Sequence, residues 1–96
     1  MVTVWGKSAK KQLQLAYEFI KLDSPQNAVK VRDEIINHSI ELASHPEIHP
    51  PDKYKHSNDG TYRAFELHRY RITYRILQNE IRIVRLRHTS RSPENY

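Results

Sequence analysis

The segment from Tyr70 to Leu77 constrains the fold most, because apolar and polar residues alternate along it. The apolar positions are Tyr70, Ile72, Tyr74 and Ile76, and the polar positions between them are Arg71, Thr73 and Arg75. In a β-strand the side chains on one face recur every two residues, whereas in an amphipathic helix they recur about every 3.6 residues. The segment therefore predicts a strand with one face on a hydrophobic layer and an arginine-rich face towards solvent or a ligand.

Two further segments flank this strand and have a similar composition. Thr61–Leu67 and Ile81–Arg87 are rich in aliphatic and aromatic residues, and short turns at His68-Arg69 and Gln78-Asn79 join them to the central strand. Strands joined by turns this short pair antiparallel. We expect the three strands to form an antiparallel meander.

The last of these segments changes its pattern part-way along. Ile81 and Ile83 have the same parity as Arg85, whereas Val84 and Leu86 have the opposite parity. A regular strand cannot place both apolar sets on one face. The pattern predicts a β-bulge near Ile83-Val84, or a strand that is covered differently at its two ends.

The first part of the chain predicts a short strand and a helix. Val2–Trp5 is a β-branched and aromatic run that Gly6 ends. From Lys7 to Leu22 the apolar residues recur at helical spacing, and Ser8 is the expected N-cap. The inward positions of this helix are Ala9, Leu13, Ala16, Tyr17 and Ile20.

A second helix follows directly. Asp23-Ser24-Pro25 ends the first helix and begins the next, because Ser24 suits the N-cap and Pro25 the first helical position. This helix is expected to run to about Ser44. Its inward positions are Ala28, Val31, Ile35 and Leu42, with Ile36 beside them. The short connection predicts an antiparallel helical hairpin, and thus a single α+β domain over residues 1–96.

An irregular loop separates the helices from the meander. His45-Pro46 ends the second helix, and Pro50-Pro51 with Asn58-Asp59-Gly60 marks a loop of about fifteen residues. It carries His49, Lys53, Lys55 and His56 close to the arginine-rich strands. Two interpretations remain open, a flap over whatever the strands bind and a solvated connector.

Positive charge is concentrated in the second half of the chain. From Lys53 onward there are ten Lys and Arg residues against four Asp and Glu, whereas the residues before Lys53 are nearly neutral. This asymmetry favours a nucleic acid or an acidic protein as partner, with a merely soluble basic surface as the alternative. The candidate nucleic-acid contacts are Lys53, Lys55, Arg75, Arg85, Arg87 and His88.

Several classes of protein are not expected. The chain has no cysteine, which excludes disulfides, thiolate zinc sites and cysteine nucleophiles. No spacing of His with Asp or Glu resembles a metal site, and no cofactor is expected. No segment approaches the length of a membrane span and no secretion signal is evident, so we expect a cytoplasmic protein without a membrane partner.

The order of the elements and three sequence stretches resemble a known superfamily. SPQNA opens the second helix, YRITYRI forms the middle strand, and IRIVRLRHTSR forms the last strand and its continuation. Together these resemble the RelE/ParE superfamily of bacterial toxins over essentially the whole chain. The resemblance implies the toxin of a type II toxin-antitoxin module, with a cognate antitoxin as partner.

The superfamily contains two activities on one fold. RelE-like members enter the ribosomal A site and cut mRNA, whereas ParE-like members block DNA gyrase and have no nuclease site. In a nuclease the resemblance assigns catalytic roles to Arg63, Arg71, Arg91 and Tyr96. Where RelE-like members tend to carry a second basic residue after Arg63, this chain has Phe65 followed by Glu66, so one expected cation is missing.

Residue chemistry gives a slight preference between these activities. Metal-free RNA cleavage needs a group that assists attack by the 2′-hydroxyl, cations around the phosphate and a proton donor to the leaving oxygen. Because Arg63, Arg71, Arg91 and Tyr96 occur together, the sequence favours ribosome-dependent mRNA cleavage, which would make the chain an endoribonuclease. The helical hairpin, with its Ser-Pro start, resembles ParE-like members more closely and keeps gyrase inhibition as the alternative. A plain RNA- or DNA-binding module is a third interpretation.

Overall fold

The computed structural model describes residues 1–96, which form two helices and a mixed sheet of four strands. The elements are β1 (Val2–Trp5), α1 (Lys7–Lys21), α2 (Pro25–Glu41), β2 (Tyr62–Leu67), β3 (Tyr70–Ile76) and β4 (Glu80–His88). The strand order is β1-β4-β3-β2, with β1 parallel to β4 and the other pairs antiparallel. The predicted α+β fold and its meander are confirmed, and the parallel pairing of β1 with β4 is the feature that the sequence did not predict. Neither α1 nor α2 combines the length and the hydropathy that a membrane-spanning helix needs.

The start of α1 differs from the prediction. Gly6, not Ser8, occupies the N-cap position, and no side chain caps the helix. The chain passes from β1 into α1 within this one residue, and the Gly6 amide donates to the Ile83 carbonyl at 2.9 Å. A Cβ atom at Gly6 would lie 3.0 Å from that carbonyl oxygen, so the close approach of the two backbones favours glycine. The prediction of Ser8 as the cap was wrong because Ser8 lies inside the first turn.

The start of α2 follows the prediction and its end does not. The Ser24 hydroxyl accepts a hydrogen bond from the Asn27 amide at 3.2 Å, and Pro25 occupies the first helical turn. The helix ends at Glu41, short of Ser44, because the chain tightens there. The Ser44 amide donates to the Glu41 carbonyl, three residues back, at 3.1 Å.

The two serines provide a matched pair for a stability test. Ser24→Ala should lower the free energy of unfolding by about 1 kcal/mol, because the Asn27 amide loses its acceptor. Ser8→Ala should leave it unchanged or raise it slightly, since Ser8 is exposed and caps nothing. Urea unfolding of the two variants measures the difference. Equal stabilities would contradict the assignment of Ser24 as the cap.

The hydrophobic core lies between the helices and the sheet face that they cover, called here the inner face. It consists of Ala9, Ala16, Val31, Ile35, Leu42, Phe65, Tyr70, Ile72, Tyr74, Ile81, Ile83 and Leu86. Tyr74 is the largest wholly buried side chain, and its hydroxyl donates to the Pro46 carbonyl at 2.8 Å. The core therefore also holds the connection between α2 and β2.

The predicted bulge in β4 is confirmed. Thr73 faces Arg85 across β3 and β4, but the next residue, Tyr74, faces Ile83, so Val84 is the extra residue. The bulge allows Ile83 and Leu86 to point to the same inner face although their parities differ. It also leaves Arg85 opposite Thr73 on the other side of the sheet, called here the outer face.

The outer face is not open along its whole length. The sequence predicts Thr73 on a solvent- or ligand-facing surface, but Thr73 is wholly buried. The expectation was wrong at this position because two distant residues, Asp52 and Tyr96, lie over the middle of the outer face and bond to each other there.

Candidate functional site: a buried carboxylate on an arginine face

The connection between α2 and β2 returns along the free edge of β2. Pro51 forms an isolated bridge with Arg63, and the Asp52 amide donates to the Tyr62 carbonyl at 2.8 Å. Two consecutive prolines keep this stretch extended, and they remove two amide donors that an edge would otherwise expose. The pairing carries the side chain of Asp52 onto the outer face, where it has no solvent exposure.

Asp52 accepts four hydrogen bonds. Arg71 Nη2 and the Tyr54 amide donate to Oδ1 at 2.8 and 3.1 Å, and the Tyr96 hydroxyl and Thr73 Oγ1 donate to Oδ2 at 2.6 and 3.2 Å. Burial alone would raise the pKa of this carboxyl, but the bonds from Tyr96, Arg71 and Tyr54 and the charge of Arg71 hold the pKa below its ordinary value. These five residues form the Asp52 cluster, which has an ionised carboxylate at its centre.

Within the cluster, the charge of Arg71 is already balanced. Its other terminal nitrogen, Nη1, lies 3.3 Å from Glu66 Oε2, and its guanidinium lies 4.9 Å from the Tyr54 ring centroid. Burial lowers the pKa of Arg71, but the hydrogen bonds and charges of Asp52 and Glu66 outweigh it and leave the pKa raised. A phosphate approaching Arg71 would have to compete with two carboxylates.

The Tyr96 side chain is held from several sides. Its amide donates to the Tyr54 carbonyl at 3.0 Å, and its ring lies 4.1 Å from the guanidinium carbon of Arg85. Burial and the hydrogen bond to Asp52 both raise the pKa of the phenol. Its hydroxyl is therefore a hydrogen-bond donor to Asp52, and at neutral pH it carries no charge with which to act as a base.

The remaining candidate nucleic-acid contacts fall into two groups. Five of them, Lys53, Lys55, Arg75, Arg85 and Arg87, lie on or beside the outer face. Lys55 and Arg75 both lie 4.8 Å from the Tyr62 ring centroid, so cations and aromatic rings alternate there. His88 pairs with Tyr70 and meets that inner-face ring edge-on at 5.1 Å, and it also borders the small cleft that Arg71, Arg85 and Arg87 line.

Of the other two candidate catalytic residues, Arg63 lies apart from Arg71 and Tyr96, whereas Arg91 borders the same small cleft as Arg71. Arg63 lies directly across from Tyr74, and residues opposite each other in a sheet share a face, so Arg63 belongs to the inner face. Its guanidinium donates to the carbonyls of His49 and Gly60 at 2.8 and 3.2 Å. Arg91 is exposed in the turn after β4. The sheet itself thus separates Arg63 from Arg71.

Phe65 occupies the position where RelE-like members tend to carry a second basic residue. It is buried in the core, where its ring contacts those of His38 and His49 at centroid distances of 4.5 and 4.9 Å. A basic residue at this position would be buried among apolar groups.

Beside the Asp52 cluster, the outer face has a small cationic cleft, called here the arginine cleft. Its volume is about 80 Å³, and its walls include Glu66, Arg71, Arg85, Arg87 and Arg91. The Nε–H groups of Arg71 and Arg87 are buried without a hydrogen-bond partner. Four arginines and one glutamate line the arginine cleft, so its positive charge suits it to an incoming oxyanion or carboxylate. No group of three or more His, Asp or Glu side chains is placed to hold a metal ion.

Asp52, the residue that organises this surface, was not among the site residues predicted from the sequence. The Pro50-Pro51 pair before Asp52 predicts extended backbone. However, Arg71, the residue that Asp52 binds, lies 19 residues further along the chain. Only the register of the connection against β2 brings them together. Pattern alone does not give that register.

Comparison with known proteins identifies the family. Residues 3–93 match the family model described as the ParE toxin of the type II toxin-antitoxin system, parDE. The chain belongs to the ParE toxin family. This confirms the resemblance to the RelE/ParE superfamily, and membership of a toxin-antitoxin family implies a cognate antitoxin.

A solved structure shares the fold of this ParE-family toxin. The structure described as the chromosomal ParDE TA system from P. aeruginosa aligns with a TM-score of 0.73 over 92% of this chain and 95% of that one. The sequences are 20% identical, so the likeness concerns the fold alone. No curated protein sequence matches the chain significantly.

Proposed function

We propose that this ParE-family toxin arrests growth by inhibiting DNA gyrase through binding and does not cut RNA. The observation that carries the proposal is the placement of the four candidate catalytic residues. Arg71 and Tyr96 are bound to Asp52, Arg63 is on the other face of the sheet, and Arg91, in an exposed turn, borders the cleft beside Arg71. Nucleolytic catalysis needs its groups around one phosphate, with a proton acceptor within reach of the 2′-hydroxyl.

The same surface is suited to binding by charge and shape. The outer face presents Arg75, Arg85 and Arg87 beside Lys55, and none of these needs to change its protonation state in order to bind. Such a cationic face can bind an acidic surface of gyrase, or the DNA that gyrase holds, and so inhibit the enzyme without catalysing a reaction. The Asp52 cluster then has a structural role, since it fixes the backbone over the outer face.

The antitoxin is the second partner in this proposal. An acidic, amphipathic segment of the antitoxin would cover the cationic outer face and fold as it binds, which neutralises a large surface with a short chain. Carboxylates of that segment would meet the arginine cleft, where Arg85, Arg87 and Arg91 provide positive charge. Toxin held in this way could not present the same face to its target.

Ribosome-dependent mRNA cleavage remains a second candidate because of the arginine cleft. Arg85, Arg87 and Arg91 line a space suited to a phosphate group, and Tyr96 lies beside it against Arg85. Cleavage there would require Tyr96 to leave Asp52 before its hydroxyl could take part. This requirement separates the two candidates experimentally.

The test compares wild-type toxin with Tyr96→Phe in two assays, gyrase supercoiling and primer extension on mRNA held in translating ribosomes. The wild type should inhibit gyrase, and folded Tyr96→Phe should inhibit it equally. The reason is that the phenol hydroxyl bonds to Asp52 of the toxin itself. If the hydroxyl were an acid-base group of a nuclease, Tyr96→Phe would cleave mRNA about 100-fold or more slowly than the wild type. Arg91→Ala is a second probe of the same question.

The opposite result is equally clear. Discrete cuts in ribosome-bound mRNA that vanish in Tyr96→Phe, with supercoiling unaffected by the wild type, would contradict gyrase inhibition and support the nuclease. Circular dichroism and urea unfolding of the variant must accompany both assays, because the hydroxyl also bonds to a buried carboxylate.

A further inference from the structure

Two histidines join helix α2 to the connection that carries Asp52. His38 lies on α2 and His49 on the connection, and their Nε2 atoms are 2.9 Å apart. At this separation one imidazole must donate a proton to the lone pair of the other. The contact therefore requires at least one of the two rings to be neutral.

The pair is packed against the core. The ring of Phe65 stacks on His49 and is tilted against His38, and the Tyr74 ring meets His49 edge-on at 6.3 Å. These contacts restrict both imidazoles to positions where their Nε2 atoms face each other. If both rings were protonated, two N–H groups and two positive charges would meet at this contact.

The charged groups around the pair do not relieve this repulsion. Arg63, from β2, bonds to the His49 carbonyl at 2.8 Å and adds positive charge. Tyr74, from β3, directs its hydroxyl to the Pro46 carbonyl. Glu47, on the connection, and Glu41, one turn beyond His38 on α2, form no hydrogen bond or ion pair with either imidazole. Burial and the charge of His38 both lower the pKa of His49.

We infer that His38 and His49 form a pH-sensitive latch, which holds the connection between α2 and β2 closed at neutral pH and releases it on acidification. The latch does not depend on which target the toxin has. Its consequence lies further along the same connection, where Pro51 and Asp52 pair with the edge of β2. Release of His49 would loosen the segment that positions Asp52 over the outer face.

The sign of the effect follows from proton binding. The unfolded or opened connection binds a proton at His49 below about pH 6.5, the ordinary pKa, whereas the closed form resists it. Closure is therefore fully favoured above pH 6.5 and weakens as the pH falls from there towards the lowered pKa of His49. For one proton taken up only in the open state, the opening constant rises by about tenfold between pH 7.5 and 5.5.

Native-state hydrogen exchange of the full chain tests the latch. The reporter amides are Asp52, which donates to the Tyr62 carbonyl, and Ala64, which donates to the Pro50 carbonyl. After correction for intrinsic exchange, their protection factors should fall by about tenfold from pH 7.5 to 5.5 in the wild type. His49→Gln, which keeps a hydrogen-bonding side chain but does not titrate, should remove this dependence. The matched control is His45→Gln, an exposed histidine of the same connection, which should behave as the wild type.

Two outcomes would overturn the inference. One is equal protection at both pH values in the wild type, and the other is a pH dependence that persists unchanged in His49→Gln. If His49→Gln does not fold, NMR titration of the wild-type imidazoles decides the question. The latch requires the proton uptake of His49 to shift when His38 is replaced by Gln, and independent titration would contradict it.

Discussion

Asp52→Asn is expected to lose about 3–5 kcal/mol of unfolding free energy, because it removes the charge that balances a largely buried guanidinium. The Asp52 side chain has no exposure and that of Arg71 is 17% exposed. Asparagine keeps the shape and one acceptor oxygen, so the loss comes mainly from the missing charge and from donors that face an amide group. Glu66, 3.3 Å from Arg71, compensates only in part, because its own side chain is 57% exposed and screened by solvent.

Urea unfolding at neutral pH measures this loss, with Asp59→Asn as control. Asp59 lies on the same connection but is exposed, and its bonds are local ones to Thr61. The double variant Asp52→Asn with Arg71→Met should recover much of the stability, since replacing both charges leaves no unpaired ion. A loss below about 1 kcal/mol in Asp52→Asn, the upper end of the usual range for exposed pairs, would contradict the view that Asp52 organises the outer face.

The pH dependence of the same pair gives an internal check. The pKa of Asp52 is held below its ordinary value of 3.8, so the stabilisation is complete above that pH. It is lost as the pH falls from 3.8 through the lowered pKa, because the native carboxylate must then take up a proton that the unfolded chain already holds. The difference between the wild type and Asp52→Asn should therefore narrow in that acid range and be constant above it.

The sequence predicted the elements of this fold well because each depends on local chemistry. The two-residue alternation of Tyr70–Leu77 needs only an apolar layer to become a strand, and Ser24-Pro25 is sufficient to begin a helix. Ser8 was the wrong cap because the tertiary contact between Gly6 and Ile83 decides where α1 begins. Both Ser8 and Ser24 are residue types that favour an N-cap. Ser24 caps α2, whereas at the start of α1 tertiary packing places Gly6 in the cap position.

The site was harder to predict because it depends on distances along the sheet. The sequence places both Arg63 and Arg71 in strands but does not say which face each occupies. Arg63 pairs with the inner-face residue Tyr74, whereas Arg71 pairs with Glu66 on the outer face. The meeting of Asp52 with Tyr96, 44 residues apart, depends on two irregular segments that cover the same strand. Irregular backbone has no period, so its register leaves no pattern in the sequence.

The second large effect is expected at Arg87, on antitoxin binding. Its Nε–H is buried without an acceptor, and its Nη1 lies 3.8 Å from Glu94, at the limit of an ion pair. The Arg87 side chain is still 24% exposed and borders the arginine cleft, where its guanidinium can meet an antitoxin carboxylate. Charge-assisted bonds of this kind are strong, and the part of the Arg87 side chain that is already buried in the free toxin adds no further desolvation cost on binding.

Arg87→Glu should therefore weaken the toxin-antitoxin complex by at least about 2 kcal/mol, or roughly 30-fold in Kd, because it replaces an attraction with a repulsion between carboxylates. Isothermal titration of the purified pair measures it, with Lys30→Glu on the exposed side of α2 as a control of equal charge change. The control should lose little, since Lys30 is remote in sequence and element from the arginine cleft. Equal losses in both variants would mean that net charge alone attracts the antitoxin, and would remove the arginine cleft from the interface. A loss confined to Arg87→Glu would place an acidic antitoxin group at this cleft, so that neutralisation and target binding compete for the same arginines.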